Sequence, residues 1–282
     1  MFIGLDVKTG ERVYIDEAIK SQAECVCPIC KGELIIKNGP INVAHFAHKS
    51  KTDCDDWTSD MSQWHKDWQN LFPRNNQEVI LELEMSNLEY ESLAWTNGFS
   101  KFDRFDHEQY LKNTPKKVIK LKHRADVLAC GYAVEFQHSH ISSKEFNERN
   151  WFYNRCGFNV IWIFDVIEER ETKKMRAGEE WHRYGEDGCK YTWDYAWKIL
   201  TNFVPQNHRR QKINGQWKSP DITVFFQVAE EEPGDDESGI IEKLSWAISE
   251  DNNSASYRKF FTSYSPAVTK KELLECVMER RV

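Results

Sequence analysis

The chain has 282 residues, 40% of them hydrophobic and 29% charged, which is the composition of a folded globular protein and excludes a disordered one. Its net charge of −7 counts against indiscriminate nucleic-acid binding, although a local basic patch can still bind phosphates. No apolar run reaches the roughly 18 residues of a membrane span, and no signal peptide precedes the fold, so we expect a cytoplasmic protein without membrane contact. The eight cysteines then indicate reduced thiols and a metal site instead of disulfides.

The first predicted unit, residues 1–56, is a small zinc-ribbon-like module. Cys27 and Cys30 are separated by two residues, the spacing with which a tight turn presents two thiolates to zinc. His45 and His48 follow on a predicted strand and would face opposite sides of it, so only one of them is expected to bind. We favour His48 because it lies nearer to the next cysteine. The predicted ligands of a structural Zn²⁺ are Cys27, Cys30, His48 and Cys54, with His45 as the alternate; otherwise these are buried cysteines and a packing histidine.

Residues 58–72 predict a helix that Thr58 or Ser59 caps and that Pro73 ends. Apolar side chains at helical spacing predict a face that packs into the core. They are Met61, Trp64, Trp68, Leu71 and Phe72. His65 flanks this stripe, and a lone helical histidine is more often a structural residue than a functional one.

Residues 57–169 predict the main domain. Their order of elements, helix, strand, strand, strand, helix and strand, predicts an α/β mixed sheet with helices on both sides. After the first helix come a strand at 78–85, a polar and irregular insertion at about 87–117, a strand at 118–121, a hairpin at 123–137, a helix at 144–156 capped by Ser142 or Ser143, and a doubly buried strand at 159–165. Residues 170–282 predict an α+β C-terminal domain of unknown role, open to a protein partner, with a strand at 221–228 and a helix at 267–281.

The hairpin at 123–137 carries the candidate chemistry. Its turn is predicted at Cys130–Tyr132, which places Asp126 within a residue or two of Glu135 on the partner strand. Glu135 and Gln137 share one face because side chains alternate along a strand. Two carboxylates side by side repel each other unless a cation lies between them, so the hairpin predicts a divalent ion with oxygen ligands. The alternative is an acidic strand that faces solvent.

A basic stretch without any acidic residue runs through 112–124. Such a patch predicts contacts with the phosphates of DNA, whether single-stranded, duplex or branched. The predicted contact residues are Lys116, Lys117, Lys120, Lys122 and Arg124, together with Lys144. The alternative is an exposed strand edge that lysines keep soluble.

A set of short motifs in fixed order resembles the competence protein CoiA-like family, within the PD-(D/E)XK nuclease superfamily. The motifs are Cys-Pro-x-Cys at 27–30, His-Phe-Ala-His at 45–48, Trp-His at 64–65, Arg-Ala-Asp-Val at 124–127, Glu-Phe-Gln-His-Ser at 135–139 and Ile-Trp-Ile-Phe-Asp at 161–165. The resemblance implies a restriction-endonuclease-like αβββαβ core in which Asp126 and Glu135 hold Mg²⁺ or Mn²⁺. It also implies that His65 lends a polar group to the site as a ligand or proton shuttle. Gln137 stands where the superfamily has lysine, and Gln63 where an acidic residue is expected.

The resemblance implies a metal-dependent DNA nuclease that acts in DNA processing, competence or defence. In this interpretation Asp126, Glu135, Gln137 and His65 form the catalytic site. Two other functions stay open: a nuclease-like module that binds DNA without cutting it, and a zinc-stabilised scaffold for protein interactions. The neutral amide of Gln137 favours the first of these, because it cannot supply the positive charge of a lysine.

Overall fold

The computed structural model describes residues 1–39, 43–50, 54, 57, 62–138, 141–165, 211–213, 216–218, 222–227, 241–246, 260–262 and 269–279. Two layers of helices cover a central sheet, and a small module precedes them along the chain. Among the helices that the structure describes, none combines the length and the apolar character that a bilayer crossing requires.

The N-terminal module consists of two small sheets and one helix. Its elements are β1 (Ile3–Asp6), β2 (Arg12–Tyr14), α1 (Ile15–Ser21), β3 (Cys25–Val26), β4 (Leu34–Lys37) and β5 (His45–His48). β1 lies between β2 and β3, and β4 pairs antiparallel with β5. Phe2, Ile15 and Phe46 lie in the core that the two sheets share. The sequence patterns predicted these elements correctly, although β5 is shorter than the predicted strand 41–48, of which residues 41 and 42 lie outside the described part.

The central sheet has seven strands in the order β14-β13-β12-β9-β8-β7-β6. The elements after the module are α2 (Gln63–Asn70), β6 (Gln77–Ser86), α3 (Asn87–Thr96), α4 (Arg104–Asn113), β7 (Val118–Ala129), β8 (Tyr132–Gln137), α5 (Ser143–Arg155), β9 (Asn159–Asp165), β10 (Gln211–Ile213), β11 (Gln216–Lys218), β12 (Ile222–Gln227), β13 (Ile241–Trp246), β14 (Phe260–Thr262) and α6 (Lys270–Met278). β8, β9 and β12 run parallel, while the other neighbours in the sheet are antiparallel. The predicted mixed sheet is therefore present.

Both faces of this sheet are covered by helices. On β9, Trp162 packs on the side of α5, whereas Ile161 and Ile163 pack on the side of α2 and α6. A strand that is apolar on both faces needs such double cover, which explains the nearly continuous apolar run at 159–165. Trp68 and Phe72 of the predicted apolar stripe are buried on the second face.

Three expectations need correction. The structure describes the first helix of the main domain from Gln63, and Ser62 caps it by accepting a hydrogen bond from the backbone N–H of His65, whereas Thr58 or Ser59 was expected; residues 58–61 lie outside the described part. The insertion at about 87–117 is not irregular, because α3 and α4 form a helical pair there. β12 pairs with β9, so the boundary expected after residue 169 falls inside one continuous sheet.

The helical pair was missed because its apolar pattern is weak, but local signals for it exist. Ser86 and Asp103 cap α3 and α4, each accepting a hydrogen bond from the backbone N–H three residues later. A buried pair joins the two helices, with Nδ1 of His107 3.1 Å from Oε1 of Glu91. Burial of a polar pair breaks the apolar stripe on which a helix prediction depends.

Candidate functional site

The hairpin of β7 and β8 turns through two residues with left-handed backbone, Cys130 at φ 50° and Gly131 at φ 92°. Its paired register runs to Val127 and Val134, one step short of Asp126 and Glu135. Beyond that point the side chains bridge the strands: the backbone N–H of Phe136 donates to Oδ2 of Asp126 at 2.9 Å. The backbone N–H of Asp126 in turn lies 3.3 Å from Oε1 of Glu135. The two carboxylates are therefore neighbours, as expected from the hairpin.

Asp126 is bound from the side of α2. Its Oδ1 lies 3.0 Å from Nε2 of His65, a side chain that is only 1% exposed. Gln69, one turn further along α2, donates to the backbone carbonyl of Asp126. Burial acts to raise the pKa of Asp126, but His65 and the N–H of Phe136 outweigh it, so that this pKa lies below its ordinary value. The buried carboxylate is thus held in its ionised form.

Glu135 is bound from the side of α5, on the opposite face of the sheet. Arg149 donates to its Oε2 at 2.7 Å, and the hydroxyl of Tyr153 donates to its Oε1 at 2.6 Å. Burial and the charge of Asp126 raise the pKa of Glu135 to about 7 in spite of these two partners. Arg149 also binds Glu145 at 2.5 Å, so its guanidinium is shared between two carboxylates.

The structure corrects the expected direction of these side chains. Asp126 and Glu135 were expected to share one face, yet their outer oxygens are bonded to helices on opposite faces of the sheet. Gln137 ends β8 and is buried, on the same strand as Glu135. His65, which was a candidate from motif resemblance alone, does contact Asp126.

Sequence reasoning missed Arg149 and Tyr153. They lie four residues apart and therefore on one face of α5, one turn from each other. An arginine within an aromatic helix, between Phe146 and Trp151, was a usable signal, because a charge on a buried helix face needs a partner of opposite charge.

Part of the predicted basic patch is already paired within the protein. Lys120 and Lys122 on β7 each lie 2.5 Å from a glutamate of β6, and Arg124 lies 3.9 Å from a third. These partners are Glu84, Glu82 and Glu78. Lys116, Lys117 and Lys144 are exposed, outside that series of pairs. They keep the strongest claim to phosphate contacts.

The four predicted zinc ligands converge in the N-terminal module. The ligand atoms of Cys27, Cys30, His48 and Cys54 all lie within 4.8 Å of one another. Sγ of Cys27 lies 3.5 Å from Sγ of Cys54, and Sγ of Cys30 lies 3.3 Å from Nε2 of His48. A tetrahedral zinc with ~2.3 Å bonds to sulfur needs sulfur atoms about 3.8 Å apart, so the cluster fits this ion. Nδ1 of His45 is directed to the carbonyl of Val43 instead.

The module is anchored to the main domain close to the carboxylates. The backbone N–H groups of Phe2 and Ile3 donate to the carboxylate of Glu78 at 2.6 and 3.0 Å. Glu78 has a left-handed backbone (φ 43°) and lies between residues paired with the two neighbours of Asp126. Trp57 stacks on His123 with ring centroids 3.5 Å apart, so the segment after the zinc ligands also packs on β7.

Comparison with protein families places these two regions in one family. Residues 10–56 match the model described as competence protein CoiA, N-terminal domain, and residues 104–229 match competence protein CoiA, nuclease-like domain. Together the two ranges cover more than half of the chain. The chain belongs to the competence protein CoiA family. No curated protein and no solved structure gives a significant match.

The CoiA matches divide the candidate residues. The zinc-ligand cluster lies within the N-terminal match, and Asp126, Glu135, Gln137 and Arg149 lie within the nuclease-like match. His65 lies between the two matched ranges, so its contact with Asp126 depends on how α2 packs against the CoiA nuclease-like domain.

Proposed function

We propose that this CoiA protein is a metal-dependent nuclease that hydrolyses phosphodiester bonds of DNA, in competence, recombination or defence. The observation that carries the proposal is the pair of buried, neighbouring carboxylates of Asp126 and Glu135 in the nuclease-like domain. Family membership supports a nuclease-related role in competence.

The charges around the pair fit a divalent cation. Asp126 and Glu135 carry two negative charges, and Arg149 is shared between Glu135 and a third carboxylate, that of Glu145. Like charges held this close in a buried site are unfavourable unless a cation compensates them. Oxygen ligands suit Mg²⁺ or Mn²⁺, and Mg²⁺ often takes only one or two protein carboxylates, together with waters and substrate phosphates. This point matters because, in the described part of the chain, the zinc-ligand cluster is the only group of three or more ligands.

When bound, the ion would polarise the scissile phosphate and lower the pKa of a water. Asp126 and Glu135 would hold it. Tyr153 and Arg149 fix the orientation of Glu135, and His65 fixes that of Asp126. Because His65 is buried and its Nε2 faces Asp126, its geometry favours positioning over proton exchange with solvent.

The rest of the proposed site binds substrate. Gln137 can donate or accept a hydrogen bond but cannot carry a proton, which assigns it to orienting water or phosphate. Lys116, Lys117 and Lys144 would contact the DNA backbone, with Arg124 and the paired lysines of β7 in a smaller role.

We infer further that the N-terminal cluster binds a structural Zn²⁺. Three thiolates and one imidazole complete a tetrahedral shell, and such a closed shell leaves no position for substrate. The contacts of Phe2 and Trp57 with the main domain support a role in stabilising the site region.

A second candidate is a DNA-binding module that does not cut. It is favoured by one observation: Arg149 is bonded to Glu135 where an active nuclease would need a cation. This candidate predicts salt-dependent DNA binding without cleavage, and binding that survives Asp126→Ala.

The test is an assay of single-stranded, duplex and branched DNA with Mg²⁺ or Mn²⁺, with the isosteric variants Asp126→Asn and Glu135→Gln. We expect cleavage by the wild type and a loss of at least about 100-fold in both variants. The exposed Asp67→Asn is the matched control and should retain wild-type activity. Binding without cleavage by the wild type would select the second candidate.

A further inference from the structure

A second histidine and carboxylate meet at the carboxyl ends of the parallel strands. His138 directly follows β8, and Asp165 is the last residue of β9. Nδ1 of His138 lies 2.8 Å from Oδ2 of Asp165. An ionised carboxylate only accepts hydrogen bonds, so Nδ1 carries the hydrogen and the neutral ring keeps a lone pair on Nε2.

The exposure of the two side chains differs in a useful direction. Asp165 is only 10% exposed, while His138 is 45% exposed. A buried carboxylate thus orients an imidazole whose other side is open to solvent. This is the arrangement in which an aspartate fixes a histidine as a general base.

The pair lies beside the proposed nuclease site. Two consecutive residues of α2 reach both places: His65 binds Asp126, and the ring of Trp64 lies 6.1 Å from the ring of His138. Three positions along the chain separate His138 from Glu135. The carboxyl ends of parallel strands are also where open α/β sheets bind their ligands.

The proposed hydrolysis lacks a proton acceptor among the residues described so far. The amide of Gln137 cannot take a proton, and Nε2 of His65 is occupied by Asp126 in a buried position. We propose that His138, oriented by Asp165, is the general base that takes a proton from the attacking water; this role rests on the proposed nuclease function. Asp165 acts through His138 and is a positioning residue.

The step balances without any further reactant. One O–H bond of water breaks, and its proton goes to Nε2 of His138. The water oxygen forms a bond to phosphorus as the bond from phosphorus to the leaving sugar oxygen breaks. The leaving oxygen takes a proton from solvent, and the imidazolium later returns its proton to solvent.

The first test uses the full chain and DNA with Mg²⁺. We expect His138→Gly to lower kcat by about 10²–10⁴-fold with little change in KM, as removal of a general base does. Added imidazole should restore part of kcat in His138→Gly, a rescue that a structural role would not produce. Asp165→Asn should lower kcat in the wild type and cause no further loss in His138→Gly. Asp67→Asn is the matched control.

The second test needs no catalysis. Nitrogen NMR of the imidazole in the metal-free protein should show His138 with hydrogen on Nδ1, and Asp165→Asn should change that tautomer. Mn²⁺ binding, followed by electron paramagnetic resonance, should be the same in His138→Gly as in the wild type.

The outcomes separate the two proposals. If the wild type cleaves, Asp126→Asn does not, and His138→Gly retains full kcat, the general base is overturned and the nuclease function stands. Hydrogen on Nε2 of His138 in the wild type would also overturn it. If the wild type does not cleave with either ion, the nuclease function is overturned, and the role of His138 with it.

Discussion

Arg149 donates a hydrogen bond to Glu135 across 2.7 Å, and both side chains are almost completely buried. Replacing Arg149 by methionine keeps much of the side-chain volume but leaves two neighbouring carboxylates with less compensation. We expect Arg149→Met to lower the free energy of unfolding by about 3–5 kcal/mol, the range for breaking a buried ion pair. Urea denaturation measures this change.

The control for that variant lies on the same helix. Arg155 is half-exposed and pairs with Glu89 at 3.6 Å, so Arg155→Met should change stability by about 1 kcal/mol or less. Added Mg²⁺ should stabilise Arg149→Met more than the wild type, because the ion would supply the missing charge. Equal stability of the two variants would contradict a supporting role for Arg149.

The raised pKa of Glu135 makes stability depend on pH. Its value rises from 4.5 to about 7 because of burial and the charge of Asp126. The folded state therefore holds this proton more tightly than the unfolded chain, and the associated stability is lost as pH rises from about 4.5 to 7. Glu135→Gln removes this loss. Without divalent ions, its stability relative to the wild type should increase by up to about 3 kcal/mol over that interval.

Denaturation of both proteins at pH 4.5 and 7.5 tests this expectation. Glu84→Gln changes an exposed glutamate and serves as the control, whose difference from the wild type should vary little. If the difference between Glu135→Gln and the wild type is the same at both pH values, Glu135 does not carry a raised pKa.

The parts of the fold that the sequence predicted are local ones. The spacing of Cys27 and Cys30 defines a turn, and the run at 159–165 defines a buried strand, because both patterns span a few residues. The pairing of β12 with β9 joins segments about sixty residues apart, and no local pattern specifies such a partner. The expected boundary after residue 169 failed for that reason.

The direction of Asp126 was missed because strand alternation fails there. Ala125 and Leu128 pack into the same core, although a regular strand would place them on opposite faces. Glu78, with its left-handed backbone, lies across the ladder from this irregular segment. A period-two rule applied through such a segment assigns the following side chains to the wrong face. The neighbourhood of Asp126 and Glu135 was still correct, since it depends on the turn.

Substitution of single histidines should show which of them binds zinc. We expect one zinc per chain by elemental analysis of the wild type, and loss of zinc in Cys54→Ser and His48→Asn, because each removes a ligand atom of the cluster. His45→Asn is the matched control and should retain zinc, since Nδ1 of His45 faces the carbonyl of Val43. Retention of zinc by His48→Asn with loss from His45→Asn would exchange their roles.

The hairpin turn offers a stabilising change. Cys130 adopts φ 50°, a left-handed conformation that a residue with a β-carbon adopts at a cost, and that asparagine tolerates better. We expect Cys130→Asn to raise the free energy of unfolding by about 0.5–1 kcal/mol. Gly131→Ala, at φ 92°, should lower it by about 1 kcal/mol or more. Urea denaturation of both variants measures the pair of opposite shifts, and a loss of stability in Cys130→Asn would contradict this account of the turn.

The pairing of β6 with β7 predicts which lysines bind DNA. Lys120 and Lys122 each contact a glutamate, so their fields are largely compensated near the surface. Lys116 and Lys117 are exposed beyond these pairs. Reversing the charge of Lys116 and Lys117 should therefore weaken DNA binding more than Lys120→Gln with Lys122→Gln does, and should reduce the salt dependence of binding by about one unit of slope for each phosphate that the protein no longer binds. Titration by fluorescence anisotropy at several salt concentrations gives both quantities. Unchanged affinity after charge reversal at 116 and 117 would remove this edge of the sheet from the DNA path.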